Sequence, residues 1–339
     1  MLEKTTRSAT VDLRCWRGRT PTSPPVTAKL LSLILLLLVS CSHDRVARRP
    51  VDTAPFTVVL GIAQDGGYPQ AGCNRDDCVS AWNDPRRRRH VASLAIVDPQ
   101  SHERWLIDAT PDFPQQLRTL DQIHPVAGIP GLSGVFVTHA HIGHYTGLMY
   151  LGREVLGARG IPVYVMPRLK IFLEKNGPWD QLVGLGNIEL RPLGDGTPIR
   201  LNERIEIVPI SVPHRDEYSE TVGFIIKGPS RSILFLPDID KWEKWSERIE
   251  DVLAKVDVAY VDGTFHDASE LPGRSMSEIP HPFMIETMER LSPMPLSLRS
   301  KIRFIHLNQS NPALRDPAIA TTIRSKGFNL AAEQEREGL

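Results

Sequence analysis

The chain has 339 residues, of which 41% are hydrophobic and 24% are charged, an ordinary composition for a globular protein. Its 40 Lys and Arg residues balance its 40 Asp and Glu residues, so the formal net charge is zero. No overall field therefore attracts nucleic acid or an anionic membrane, and we expect no nucleic-acid partner.

Residues 1–41 differ from the rest of the chain, because several basic residues precede an apolar run over residues 30–40. This run has the length of a secretory signal and is short for a membrane span. The segment Leu38-Val-Ser-Cys41 resembles a bacterial lipobox, in which the cysteine is lipidated and the preceding segment is removed. Ser42 follows it, which resembles sorting to an outer membrane. A plain signal peptide or a short membrane anchor stays the alternative.

These features predict the domain organisation and the location of the protein. Residues 1–41 form a lipoprotein-type signal peptide, and the polar, proline-containing residues 42–55 form a flexible tether. One domain covers residues 56–325 and a tail covers 326–339, of which the charged part, Ala331–Leu339, is expected to fray. We expect the protein to be anchored through lipid on Cys41 in the periplasm of a bacterial cell envelope, at the outer membrane.

The domain contains two cysteines, Cys73 and Cys78. In an oxidising compartment they can form a disulfide, and we lean towards that pairing. Half of a structural zinc site is the alternative.

Short apolar and β-branched runs in the domain predict a series of strands, with helices inserted between them. The predicted strands are Thr57–Leu60, Ala92–Val97, Trp105–Ile107, Val135–Val137, Val163–Val165, Ile205–Val208, Val222–Ile226, Ser232–Leu236, Val256–Val261 and Ile302–Ile305. The predicted helices are Asp112–Leu120, Gly147–Leu156, Leu169–Glu174, Lys241–Lys255 and Pro282–Leu291. Strict alternation of strand and helix is absent, so we expect two stacked sheets with helices on their outer faces.

The sequence His139-Ala-His141-Ile-Gly-His144 directly follows a predicted strand and starts a helix. Imidazoles at this spacing can converge on one point, as a zinc-type cation requires. Further His and Asp residues end other predicted strands. These are His214, Asp238, Asp262 and His306. Because strand ends lie along one edge of a sheet, we expect a shared metal site there.

This arrangement resembles the metallo-β-lactamase superfamily, whose HxHxDH loop is followed by a later His, a later Asp and a final His at strand ends. The resemblance implies an α/β (α+β) fold, a four-layer αββα sandwich of two mixed β-sheets flanked by helices. It also implies that His139, His141, His144, His214, Asp238 and His306 are metal ligands. The glycine-rich segment Leu60–Pro69 is similar to the first turn of the tRNase-like and phosphodiesterase-like branch.

One group within this superfamily is more similar still, the pyrroloquinoline-quinone biosynthesis protein B group. The similarity lies in Pro69–Cys73, Trp105–Gln115, Thr146–Leu148 and Met276–His281. That group usually keeps the aspartate of the loop motif and alters its first two histidines, whereas this chain does the reverse. We therefore expect a relative of the group rather than the biosynthetic protein itself.

Gly143 is the chemical departure from the superfamily, because an aspartate that ligates the second metal is usual at its position. The first site, formed by His139, His141 and His214 with Asp238, is complete. The second would have only His144, His306 and the shared Asp238, with Asp262 and His281 as reserve candidates. We expect one or two zinc ions, with iron or manganese as open alternatives.

A zinc-type ion makes hydroxide available near neutral pH, so hydrolysis is the expected reaction. The expected substrate is a small molecule with an ester, lactone, amide or phosphodiester bond. Asp238 would orient the hydroxide, and His281 or Asp262 would protonate the leaving group. The basic run Arg86–Arg89 is either a solvated turn or a rim that binds an anionic substrate. A metal-dependent oxygenase or hydroxylase and a metal-binding lipoprotein without turnover are the alternatives.

Overall fold

A computed structural model describes residues 53–339, so the expected signal peptide and most of the expected tether lie outside the described residues. The described strands are β1 (Phe56–Gly61), β2 (Ser93–Asp98), β3 (Glu103–Ile107), β4 (Gly134–Phe136), β5 (Ile161–Val165), β6 (Ile188–Pro192), β7 (Ile199–Arg200), β8 (Glu206–Ser211), β9 (Val222–Lys227), β10 (Ser232–Leu236), β11 (Val258–Asp262), β12 (Ile302–Ile305), β13 (Asn329–Leu330) and β14 (Arg336–Gly338).

The α-helices lie mainly between strands. They are α1 (Asp76–Asn83), α2 (Phe113–Ile123), α3 (Ile142–Tyr145), α4 (Pro167–Lys175), α5 (Trp179–Gly184), α6 (Ile249–Leu253), α7 (Met284–Leu291), α8 (Leu296–Arg299) and α9 (Pro317–Ser325). Short 3₁₀ helices cover Pro85–Arg87, Thr146–Leu151, Trp242–Lys244, Ala268–Glu270, Met276–Glu278 and Pro312–Leu314. Within residues 53–339, no helix combines the length and the apolar character that crossing a bilayer would need.

The strands form two seven-stranded mixed sheets. The first has the order β14-β1-β2-β3-β4-β5-β6, and the second has the order β13-β12-β11-β10-β9-β8-β7. In the first sheet the pairs from β3 to β6 are parallel, and in the second the pairs from β10 to β13 are parallel. The remaining pairs are antiparallel. The expected sandwich of two mixed sheets is therefore confirmed.

Strands β1 to β4 of the first sheet are buried on both faces, which explains why they are largely continuous apolar runs. In β2, Leu94 and Ile96 belong to the core between the sheets, whereas Ala95 and Val97 belong to the core beneath the helices. This alternation follows from the two-residue period of a strand. Between the sheets, Phe136 packs edge-on against Phe224 of β9, with ring centroids 5.6 Å apart.

The helix predicted over Lys241–Lys255 is wrong, because the segment consists of a 3₁₀ turn, four non-helical residues and the short helix α6. Its apolar residues are buried as expected, but the two tryptophans point to different partners. The Trp242 indole donates to Thr287 Oγ1 and the Trp245 indole donates to Ser211 O, each at 2.9 Å. The helical spacing of the apolar residues therefore reflects burial in the core, and each tryptophan is held by a tertiary hydrogen bond outside a helix. The helix predicted over Gly147–Leu156 is likewise a 3₁₀ helix, Thr146–Leu151.

The prediction that Ala331–Leu339 frays is also wrong, because β14 pairs with β1 and forms the edge of the first sheet. The charged side chains that suggested solvation are bound to the domain, since Arg231 Nη1 lies 2.9 Å from Glu337 Oε2. Leu339 is only 1% exposed, and its N–H donates to the carbonyl of Pro55. The domain therefore extends to the end of the printed sequence, and its first residues overlap the expected tether.

Cys73 and Cys78 are joined in a disulfide, which was one of the two alternatives for this pair. It links the loop after β1 to helix α1 and packs in a small cluster with Ala63, Tyr68 and Ala81. The pair therefore supplies no metal ligand.

Candidate metal centre

The predicted ligands meet at one edge of the sandwich, on loops that follow the ends of strands. His139 and His141 follow β4, His214 follows β8, and His306 follows β12. Asp238 follows β10 in the same way. Parallel strands place their carboxyl ends at one edge, so residues far apart in sequence become neighbours.

The first group consists of His139, His141, His214 and Asp238. His141 Nδ1 lies 2.8 Å from His139 Nε2 and 3.2 Å from His214 Nε2. Asp238 Oδ2 lies 3.3 Å from His139 Nε2, 3.2 Å from His214 Nε2 and 3.9 Å from His141 Nδ1. Ligands about 2.0–2.1 Å from a common tetrahedral zinc ion are roughly 3.3 Å apart, so these spacings fit such an ion.

The second group contains His144 and His306, as expected, together with Asp65, which the sequence analysis missed. Asp65 Oδ1 lies 3.3 Å from His144 Nε2 and 3.8 Å from His306 Nε2. Asp238 Oδ2 lies 3.9 Å and 4.0 Å from the same two nitrogens, so its carboxylate faces both groups. The sequence did offer one indication of Asp65, because it is an acidic residue in the glycine-rich loop after β1.

The polar atoms of the second group have no hydrogen-bond partner among the residues that the structure describes. They are His144 Nε2, His306 Nε2 and Asp65 Oδ1. Burying such atoms without a partner is costly, and a cation would satisfy all of them together. The donor set of imidazoles and carboxylates suits zinc, and also iron or manganese.

Most of the imidazoles are oriented by a hydrogen bond at Nδ1, which leaves Nε2 to face the centre. His144 Nδ1 lies 2.8 Å from Asp108 Oδ2, and His214 Nδ1 lies 3.3 Å from Asp240 Oδ1. His139 and His306 use threonine hydroxyls in the same way, at 2.9 Å and 3.0 Å. Such outer contacts fix the tautomer of a metal-binding histidine.

Two residues at the centre have backbones in the left-handed region, Asp108 with φ 67° and His306 with φ 64°. Non-glycine residues adopt this region rarely and at an energetic cost. Both side chains contribute to the second group, His306 directly and Asp108 through His144. The fold therefore accepts local strain where it aims these side chains.

A third group lies on the other side of Asp238 and contains the two reserve candidates. His281 Nδ1 lies 2.9 Å from Asp262 Oδ2 and 3.2 Å from Asp238 Oδ1. Asp262 is fully buried and also accepts from the backbone N–H groups of Ile239 and Thr264. The oxygens of the Asp262 carboxylate are thus already hydrogen-bonded, and neither Asp262 nor His281 belongs to the second group.

In the metal-free centre Asp238 and His139 have the charge states of metal ligands, whereas His214 holds a proton that metal binding would displace. Burial opposes a charge on His214, but Asp238 and Asp240 outweigh it and raise its pKa to about 9. Burial also opposes ionisation of Asp238, yet the surrounding histidines hold its pKa well below the ordinary value. Burial and the nearby His144 lower the pKa of His139 well below its usual range. Asp238 is therefore an anion and His139 a neutral ring near neutral pH, the forms that bind cations.

The centre is open to solvent on the side of the two candidate ligands that are partly exposed. His141 is 14% exposed and Asp65 is 27% exposed, whereas the other ligands are almost completely buried. At this opening, Glu217 Oε2 lies 3.3 Å from His141 Nε2. The basic run at Arg86–Arg89 makes mostly local contacts, with Asp84 and with backbone carbonyls of its own loop and α1.

Comparisons with known proteins identify the family and the fold. A family model described as the beta-lactamase superfamily domain matches residues 103–306. Coenzyme PQQ synthesis protein B of Xanthomonas axonopodis pv. citri is 27% identical over 308 residues, which cover 81% of this chain and 96% of that protein. The protein of the same name from Methylorubrum extorquens is 26% identical over 306 residues, with the same two coverages.

Solved structures show the same fold. Zinc-bound PqqB from Methylobacterium extorquens superposes with a TM-score of 0.68 at 22% identity, covering 84% of this chain and all of that one. A diphosphatase of the PhnP family gives a TM-score of 0.59 at 18% identity, covering 84% of this chain and 97% of that one. The resemblances to the superfamily and to the protein B group are thus confirmed.

Proposed function

Because the chain belongs to the β-lactamase superfamily, we propose that it is a metal-dependent hydrolase of a small-molecule ester, lactone, amide or phosphodiester. The observation that carries this proposal is the convergence of two ligand groups on one shared carboxylate, Asp238. When bound, a zinc-type ion supplies a hydroxide nucleophile from water and polarises a substrate oxygen.

The residues of the chain have separate roles in this proposal. Asp238 Oδ2 faces both ligand groups, so it can accept a hydrogen bond from the attacking water and orient it. His281 stands beside it with Nδ1 bonded to Asp262, and its Nε2 has no hydrogen-bond partner among the described residues. We propose that His281 passes a proton from Nε2 to the leaving group. Asp262 then positions the ring and does not itself donate the proton.

A second candidate function is a PqqB-like oxygenase or hydroxylase, favoured by relatives named for PQQ synthesis that match over 96% of their length. Imidazoles with a carboxylate can also hold iron and leave positions open for O₂. The metal identity separates the two candidates, since zinc favours hydrolysis and iron favours the oxygenase.

The test is elemental analysis of protein purified without added metal, followed by assays on a panel of esters, lactones and phosphodiesters. We expect zinc and hydrolysis of at least one substrate class, lost on chelation and restored by zinc. His139→Ala should lose both metal and activity, whereas His102→Ala, at an exposed loop histidine, should keep both. Tightly bound metal with no turnover on any substrate would instead indicate a metal-binding protein.

We also propose that the enzyme acts at the bacterial cell envelope, anchored by lipid on Cys41. The support is the sequence over residues 30–42, which lies outside the described residues. The disulfide between Cys73 and Cys78 agrees with an oxidising compartment.

A further inference from the structure

The structure shows what occupies the space beside Gly143, where the superfamily motif has an aspartate. A Cβ atom at position 143 would lie 2.1 Å from Asp65 Oδ1 and 2.5 Å from Asp65 Cα. Both distances are far shorter than van der Waals contact. Any side chain at position 143 would therefore displace Asp65, and the glycine is what lets Asp65 approach.

The loop that carries Asp65 is fixed beside the second ligand group by backbone hydrogen bonds. Gln64 N donates to Leu307 O at 2.9 Å, and Leu307 N donates to Ile62 O at 2.8 Å. Leu307 directly follows His306, so these bonds tie the loop after β1 to the end of β12. A turn closed by Gly67 N and Gln64 O, 2.7 Å apart, then carries Asp65 over the centre.

We propose that Asp65 supplies the carboxylate of a second cation site, in place of the aspartate that position 143 lacks. This inference rests on the proposed metal-dependent function and makes its centre a two-ion centre. The ligands of the second site are then Asp65, His144 and His306, with Asp238 shared between the sites. Three protein ligands and a shared carboxylate are sufficient for a catalytic zinc site.

The geometry favours a ligand over a mere hydrogen-bond partner of His144. Asp65 Oδ1 is close to two ring nitrogens, at 3.3 Å and 3.8 Å, and makes no hydrogen bond with either within the described part of the chain. His144 already has a hydrogen-bonded carboxylate at its other nitrogen, Asp108. A cation among these atoms explains why three polar groups converge without pairing.

The test compares the metal content of the wild type with that of Asp65→Asn and Asp65→Ser. After zinc loading and removal of free metal, we expect about two zinc ions per wild-type chain and about one per variant chain. Zinc titration against a competing chelator should show an unchanged first affinity and a second affinity weakened by more than the roughly 10–100-fold that is typical when only an outer partner of a ligand is replaced. Asp76→Asn, the same change at an exposed aspartate in α1, is the matched control and should bind as the wild type does.

Folding is checked separately by the thermal unfolding of each protein in excess chelator, which should show a single cooperative transition for wild type and variants. Gly143→Ala should lose the same ion as Asp65→Ser, because the added methyl group displaces the Asp65 carboxylate. Two ions of unchanged affinity in Asp65→Asn or in Gly143→Ala would overturn the inference.

The outcomes separate this inference from the proposed function. A wild type that binds one ion and hydrolyses substrate would overturn the role of Asp65 and leave the function standing on the first site. A wild type that binds no metal would overturn the proposed function. Two ions in the wild type and one in each Asp65 variant would support both.

Discussion

Asp108 is the residue whose replacement by asparagine tests most directly how the fold prepares the second metal site. It is fully buried after β3, and its carboxylate binds two partners. Oδ1 accepts from the backbone N–H of Thr138 at 2.8 Å, and Oδ2 lies 2.8 Å from His144 Nδ1. Asparagine has the same shape and tolerates the left-handed backbone at this position. The change in Asp108→Asn is therefore chemical rather than steric.

The amide cannot satisfy both partners in the way the carboxylate does. Its oxygen can still accept from Thr138, but its NH₂ group then faces His144 Nδ1 and needs an acceptor there. The ring responds by moving its proton to Nε2, the atom that faces Asp65 and Asp238. Nε2 must be free of a proton to bind a cation, so the wrong tautomer is stabilised.

The expected loss is about 10–100-fold in second-site zinc affinity, as is typical when an outer partner of a metal-binding histidine is replaced. This corresponds to about 1.4–2.7 kcal/mol. The assay is competitive zinc titration, which resolves the two affinities, with thermal unfolding in chelator as a check on the fold. The first affinity should fall less than the second, because Asp108 reaches His139 of the first group only through the hydroxyl of Thr138.

Asp240→Asn is the matched control, because Asp240 holds His214 of the first group in the same manner. Its contact is longer, 3.3 Å, and its side chain is 12% exposed, so we expect a smaller loss and only at the first site. If Asp108→Asn keeps both affinities while folding normally, Asp108 does not set the tautomer of His144. Equal losses at both sites would point to a general distortion of the centre.

Three further changes test the remaining proposals. His281→Ala should slow the hydrolysis of substrates with poor leaving groups by about 10²–10⁴-fold, because such leaving groups need a proton donor. Activated esters should be affected much less. Equal losses on both kinds of substrate would contradict the role of His281 as the proton donor. Deleting residues 326–339 exposes the edge of β1 and removes the buried side chains of Phe328 and Leu339. Calorimetry should therefore show a free energy of unfolding lower by at least about 3 kcal/mol. An unchanged melting temperature would show that the domain does not need these residues. Cys41→Ala should move the protein from the membrane fraction to the soluble fraction, and membrane retention in that variant would contradict the lipid anchor.

Much of the fold could be predicted from the sequence, because the central strands of the sheets are buried on both faces. A strand such as β2, with core residues on each face, becomes a continuous apolar run that is visible without a structure. β14 gives no such signal. Arg336-Glu-Gly338 pairs through its backbone at a sheet edge, and the charge of Glu337 is paired with those of Arg231 and Arg303, far away in the sequence. Backbone pairing at an edge carries no requirement for apolar side chains.

The predicted ligands are brought together by the structure because each one ends a strand, and strand ends share an edge. Asp65 and Asp108 could not be identified in the same way. Asp65 lies in a turn whose path depends on pairing with Leu307, far along the chain. Asp108 follows β3, but an aspartate after a strand is common, and its role depends on the ring of His144, 36 residues away.

Gly143 shows why a departure from a motif does not by itself remove a site. A carboxylate ligand is defined by where its oxygen lies, and the backbone position that carries it is free to change when space allows. The glycine removes the one atom that would exclude Asp65, since a Cβ there would lie 2.1 Å from the Asp65 carboxylate. A side chain at position 143 and the observed position of Asp65 thus exclude each other. The zinc affinity of the second site should therefore depend both on Asp65 and on the absence of a side chain at position 143.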